Sequence, residues 1–259
     1  MTVLSFGKQN VNIDAGELVG YQVDGYEYVH QKGSPGWGNS DTEMFPIIGP
    51  TAEADYKVLT DHGDAIQDQH GLLRELDYSC VHQTGNCAIF EKEYTANTKV
   101  NNSKYPNKSK VKELCWPFDF KFRKTFELEE HQLSIRFDIS GPDKMPFMLG
   151  YHPAFKIHSK EAFIKAIDAP ISISEVVEVG NRAMPITGCN EIILNDLRNL
   201  TIKTNGFNNF MLWTEVPNML CIEPITFYPY MLGQQELHLG FTNMEESGKC
   251  YLVQLIPTL

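Results

Sequence analysis

Strict two-residue alternation runs through most of this chain, and it constrains the fold more than any other feature. In HQLSIRFDIS, residues 131–140, Leu133, Ile135, Phe137 and Ile139 fall on one side of an extended backbone, and Gln132, Ser134, Arg136 and Asp138 on the other. That is the pattern of a strand with one face buried. FDFKFRKTFEL (118–128) repeats it with Phe118, Phe120 and Phe122. AFIKAID (162–168), EIIL (191–194), LTIKT (200–204), FMLW (210–213) and YLVQLI (251–256) are further short strands rich in β-branched and aromatic residues. Turn signals separate them: DHGD, TGN, SGPDK, NGFNN and EESGK.

Helical periodicity is nearly absent; PTAEADYKVL (50–59) holds at most one short turn. The polar, Asn- and Lys-rich stretch NTKVNNSKYPNKSK (97–110) reads as a long hairpin excursion, because the strand pattern is the same on both sides of it. Without linker or repeat, the expectation is one all-β domain over residues 1–259, a sandwich or barrel.

A net charge of −11 argues against nucleic acid or an anionic membrane as partner, since both require basic surface. No apolar run approaches the ~18 residues of a membrane span. The first twenty residues show no basic segment followed by an apolar one, so a cytoplasmic protein is expected, with its six scattered cysteines reduced. Oligomeric state is not legible.

Motifs for a nucleophilic serine, a phosphate loop, a local zinc site and a dinucleotide fold are all missing. Three other fragments carry candidate chemistry. In DQHGLLRELDY (68–78), His70 precedes Gly71, and Arg74 is followed by Glu75 and Asp77. In LGYHPAFKI (149–157), His152 lies between Tyr151 and Phe155. In CIEPITFYP (221–229), Glu223 ends an apolar run before Pro224. Each has a plain structural alternative: a satisfied core histidine, an Arg–carboxylate bridge, a glutamate turned to solvent. Together, two histidines and a glutamate form an acid–base set suited to a reaction that only moves protons. Tyr151, Phe155, Trp213 and Phe227 are aromatics that can stack on the apolar face of a sugar.

MFPIIGP (44–50), QHGLLREL (69–76), LGYHPAF (149–155) and CIEP (221–224), in this order, resemble the aldose 1-epimerase (galactose mutarotase) family, in particular its shorter LacX-like branch. The likeness runs from about residue 20 to the C-terminus. It implies a large, twisted antiparallel β-sandwich with a sugar in an open cleft, and interconversion of the α and β anomers of an aldose such as glucose or galactose. It assigns Glu223 as base on the C1 hydroxyl, His152 as acid toward the ring oxygen, and His70 as a hydrogen-bonding partner near both. No metal or cofactor is implied. Substrate contacts are expected from Arg74, Trp213, Tyr151, Phe155 and Asn190; Asn190 stands where relatives often carry Asp. Pro50 stands where many members have a sugar-holding Arg. A non-catalytic sugar-binding protein on the same fold is one alternative. A hexose-6-phosphate mutarotase is another, ranked lower because no Arg or Lys beyond Arg74 and Lys156 lies near the motifs in sequence.

Overall fold

The structure, a computed structural model, describes residues 1–38, 41–167 and 169–258. Its framework is two antiparallel sheets. The larger has nine strands, in spatial order Pro170–Ser172, Phe163–Lys165, Glu191–Asn195, Asn199–Asn205, Lys249–Thr258, Leu133–Ser140, Phe120–Leu128, Cys87–Tyr94 and Ser79–Gln83. The smaller has Met184–Thr187, Asn209–Trp213, Met219–Ile225, Gly150–Tyr151 and Glu43–Met44 in sequence across it, with Ala154–Lys156 also paired to Met219–Ile225. A four-stranded meander formed by residues 2–27 makes a separate sheet.

The alternation in the sequence translates directly into this architecture. Phe120, Phe122, Phe126 and Leu128 are buried, as are Leu133, Ile135, Phe137 and Ile139 on the paired strand. The two sheets meet through these side chains: the Phe137 ring lies 5.1 Å from that of Tyr151 on the smaller sheet. The strands expected from the other short runs are all present, although Asp168, the last residue of AFIKAID, lies outside the described residues.

Two elements go beyond expectation. PTAEADYKVL holds its one short turn, a 3₁₀ turn at Ala52–Ala54, and then forms a strand at Lys57–Thr60. A short α-helix, Ile173–Val179, was not expected. It opens on a reciprocal capping box between Ser172 and Glu175, so S-x-x-E in its sequence was a usable signal.

Candidate active site

Strand register brings Glu223 and His152 together. Gly150 pairs with Ile225, and Ala154 with Cys221, on the same central strand. Both pairings share one register, and carrying it across the interruption at His152–Pro153 sets His152 opposite Glu223. Pro153 has no N–H to continue the ladder, and His152 N–H instead donates to Thr42 O at 2.8 Å. On the other side, Glu223 pairs with Met211. The row Met211–Glu223–His152 thus faces away from the core, into a cleft of roughly 640 Å³ that all three help to line.

His152 Nε2 is 3.3 Å from Glu223 Oε1. Glu223 is 1% exposed and His152 8%. Burial, which disfavours whichever form is charged, pushes the Glu223 carboxyl well up and the His152 imidazole down to about 3. The two shifts point the same way: burial favours a neutral carboxyl beside a neutral imidazole over a carboxylate–imidazolium pair.

His70 reaches the same place from a different segment. Its backbone takes φ +76, and Gly71 follows at φ +71. A Cβ on Gly71 would sit 2.2 Å from Phe45 O, so only glycine fits where QHGLLREL packs on MFPIIGP. His70 Nδ1 lies 3.0 Å from Ile48 O. A carbonyl only accepts, so Nδ1 carries the proton and a neutral ring leaves Nε2 as a bare acceptor. The His70 and His152 rings meet edge to face at 5.6 Å. Burial, and then the neighbouring charges of His152, Lys104 and Arg74, hold His70 well below the ordinary range.

Of the expected sugar contacts, Arg74 and Trp213 line the cleft. Tyr151, Phe155 and Asn190 do not. Tyr151 and Phe155 are each an odd number of residues from His152, so an extended chain turns them to the opposite face; both are fully buried in the core. Asn190 is exposed in the turn before Glu191–Asn195, where its carbonyl accepts from Thr204.

Several cleft residues escaped the sequence reading, Trp37, Lys104 and Lys108 among them. Trp37 stacks on His152 at 5.1 Å and packs over Cys221 and Ala154; a tryptophan in the glycine-rich run GSPGWG was its only signal. Lys104 and Lys108, from the 97–110 excursion, also line the cleft. They correct the expectation that no basic cluster lies near the motifs. Lys156 is exposed and is not part of the lining.

His152, Cys221 and Glu223 bring one potential metal donor each within 4.8 Å of one another. Burial raises the Cys221 thiol as it does the Glu223 carboxyl. A metal would therefore have to displace two protons that the site holds firmly, so the donor set fits an ion poorly.

Two facing antiparallel sheets with a buried carboxyl–imidazole pair in an open cleft define a β-sandwich protein equipped for proton transfer. A sequence profile for aldose 1-epimerase matches residues 58–210, more than half of the chain. The chain belongs to the aldose 1-epimerase family. The matched segment contains His70 and His152 and ends before Glu223. No curated protein sequence matches. Among solved structures, a galactose mutarotase-like protein from Lactobacillus casei ATCC 334 superposes with TM-score 0.81 at 18% identity, with 100% of both chains covered. A galactose mutarotase related enzyme from Lactobacillus acidophilus gives 0.76 at 16% identity, covering 100% of this chain and 97% of the other. An aldose epimerase homologue from C. elegans gives 0.66 at 12% identity, covering 99% and 98%.

Proposed function

We propose that the protein is a mutarotase, an isomerase that interconverts the anomers of an aldose with a free C1 hydroxyl, acting through residues of its 1–259 domain. The observation that carries this reading is the Glu223–His152 contact of 3.3 Å in the cleft. Glu223 takes the C1 hydroxyl proton while His152 gives one to the ring oxygen. The C1–ring oxygen bond breaks and the aldehyde forms. After rotation about C1–C2, the same steps reversed close the ring on the other face. His70 accepts a hydrogen bond from the sugar near C1.

The proton count supports the assignment. Reaction requires carboxylate and imidazolium beside the closed sugar. Ring opening leaves carboxyl and imidazole, the combination burial favours in this cleft. Ring opening therefore returns the cost of forming the ion pair and leaves Glu223 and His152 in the state in which they rest. The pair holds one proton in either arrangement, so no net exchange with solvent is required. Each positioned acid or base contributes about 10²- to 10⁴-fold.

The test is NMR magnetisation transfer between anomers of equilibrated aldoses at low buffer concentration. Glucose, galactose and their 6-phosphates form the panel, with wild type and Glu223→Gln. Exchange above the spontaneous rate of a given sugar, falling about 10²-fold or more in the variant, is the expected result. No acceleration of any aldose overturns the reading, and sugar binding without exchange would make the protein a binder.

A further inference from the structure

The excursion at 97–110 is a wall of the cleft rather than a loose loop. A two-residue ladder, Val100–Asn101 with Glu113–Leu114, closes its base. Asn102 Nδ2 donates to Asp68 Oδ2 at 2.9 Å, Lys104 Nζ to Gln69 O at 3.0 Å, and Ser103 Oγ to Glu75 Oε1 at 2.9 Å. These bonds pin the excursion to the segment that carries His70. Lys108 N donates to Lys104 O at 2.8 Å, closing a five-residue turn whose two lysines both line the cleft.

The local charge is opposite to that of the chain. The net charge is −11, yet the charged residues lining the cleft are Arg74, Lys104 and Lys108 against the single carboxyl of Glu223. The acids that partner them turn inward. Asp68 approaches Lys104 at 3.5 Å and Glu75 approaches Arg74 Nε at 3.8 Å, but both carboxylates are committed to the excursion's own hydrogen bonds, and neither lines the cleft. Among the described residues, the terminal guanidinium nitrogens of Arg74 have no protein hydrogen bond and Lys108 has no ion pair. At roughly 640 Å³ the cleft lies within the ~300–1,000 Å³ range of drug-sized ligands, with room for a substituent beyond one sugar ring. Converging cations inside a cleft focus the field on an anion even when the whole protein is acidic.

We propose that the aldose bound here carries an anionic substituent, phosphate or carboxylate, which Lys104, Lys108 and Arg74 hold against the excursion wall while C1 meets Glu223 and His152. This rests on the mutarotase reading and names its substrate class. It also turns round the ranking that the sequence suggested, since the lysines responsible are remote from the motifs in the chain.

The experiment compares anomer exchange on glucose, glucose 6-phosphate and glucuronate, each corrected for its spontaneous rate, for wild type and Lys108→Glu. Lys108 is exposed and unpaired, so this variant should fold. The expected result is a kcat/KM for one anionic sugar about tenfold or more above that for glucose, as a charged hydrogen bond supplies, with that ratio collapsing in Lys108→Glu. Preference for glucose 6-phosphate identifies a phosphate, and preference for glucuronate a carboxylate. Equal or better turnover of glucose overturns the anion proposal and leaves the mutarotase standing. If no sugar is turned over, the mutarotase reading falls and calorimetric binding decides the rest: glucose 6-phosphate or glucuronate bound more tightly than glucose keeps the anion site, and equal or undetectable binding removes it.

Discussion

Lys124→Met tests whether charge organises the layer behind the cleft. Lys124 occupies an inward position of its strand, between Phe122 and Phe126, and is fully buried. Its Nζ lies 2.6 Å from Asp41 Oδ2 and 2.6 Å from Glu43 Oε1. Asp41 also accepts from Tyr151 OH at 2.6 Å and from Leu18 N at 2.7 Å. Tyr151 precedes His152 and pairs with Glu43 across the ladder, so this cluster fixes the backbone that presents His152. Burial works against the charge on Lys124, and the two carboxylates outweigh it and hold its pKa above the ordinary value. Methionine retains the apolar stem and removes the ammonium. Lys92, the next cation, already donates to Leu73 O. Two buried acids are then left unpaired. Removing one partner of a buried pair costs about 3–5 kcal/mol, and at ~2–4 °C per kcal/mol the expected loss in Tm is about 6–20 °C at pH 8. The deficit shrinks on acidification. The stranded acids titrate above their unfolded values, so the native variant binds more protons than the unfolded one, and its relative stability falls as pH rises, by up to about 1.4 kcal/mol per pH unit per acid. Calorimetric melts at pH 8 and pH 5 measure both effects. A Tm loss under about 2 °C, or one equal at both pH values, would refute the reasoning.

Other outcomes follow from individual contacts. Gly71→Ala must place a Cβ 2.2 Å from Phe45 O at φ +71; it should lower Tm by several degrees and reduce exchange activity, because His70 sits on the displaced backbone, and an unchanged melt would contradict the packing. The lowered His152 (to about 3) and His70 make acidification destabilising below about pH 6.5, because the unfolded chain binds those protons first. Glu223, raised well above the ordinary 4.5, and Asp41, raised by burial to about 6, act in the opposite sense above about pH 4, so the net loss of wild-type stability should be concentrated between about pH 4 and 3. His152→Asn should flatten the acid slope by about 1.4 kcal/mol per pH unit, and an unaltered slope would place the imidazole in solvent. Exhaustive EDTA treatment should leave anomer exchange unchanged; a loss restored by Zn²⁺ would instead assign a metal to His152, Cys221 and Glu223.

The alternation made the framework legible because a sheet with one buried face must repeat every two residues. The same parity applied to LGYHPAFKI would have excluded Tyr151 and Phe155 from any cleft containing His152. Lys124 was legible too: it breaks the apolar face of FDFKFRKTFEL at an inward position, which marks a buried charge in need of partners. Those partners were not legible, since Asp41 lies 83 residues away and meets Lys124 only when the sheets stack. The basic wall was hidden for the same reason. Its lysines lie in a stretch with no periodicity, and Asp68, Gln69 and Glu75, which anchor it, are nearly thirty or more residues upstream.

Sheet and excursion supply different halves of the site's electrostatics, and their combination makes a further demand on the substrate. The sheet dehydrates Glu223 and His152 and so discourages the charged forms that the reaction must visit. The charges around His152 come from Glu223 on the central strand, from Arg74, and, beyond His70, from Lys104 on the excursion. The thiol of Cys221 is held neutral by burial. After burial, Arg74 lowers His152, and Lys104 and Arg74 both lower His70. With a neutral sugar bound, these cations are offset only in part, Lys104 by Asp68 and Arg74 by Glu75, and the remaining field opposes an imidazolium at His152. An anionic substituent seated among them cancels that opposition as the sugar arrives, raising the proton affinity of His152 when it must become the acid. The acid limb of the kcat–pH profile should therefore lie at higher pH with glucose 6-phosphate than with glucose. High salt should narrow the gap by screening the cations. Coincident acid limbs for the two sugars would mean that the cations hold the substituent without acting on the proton transfer.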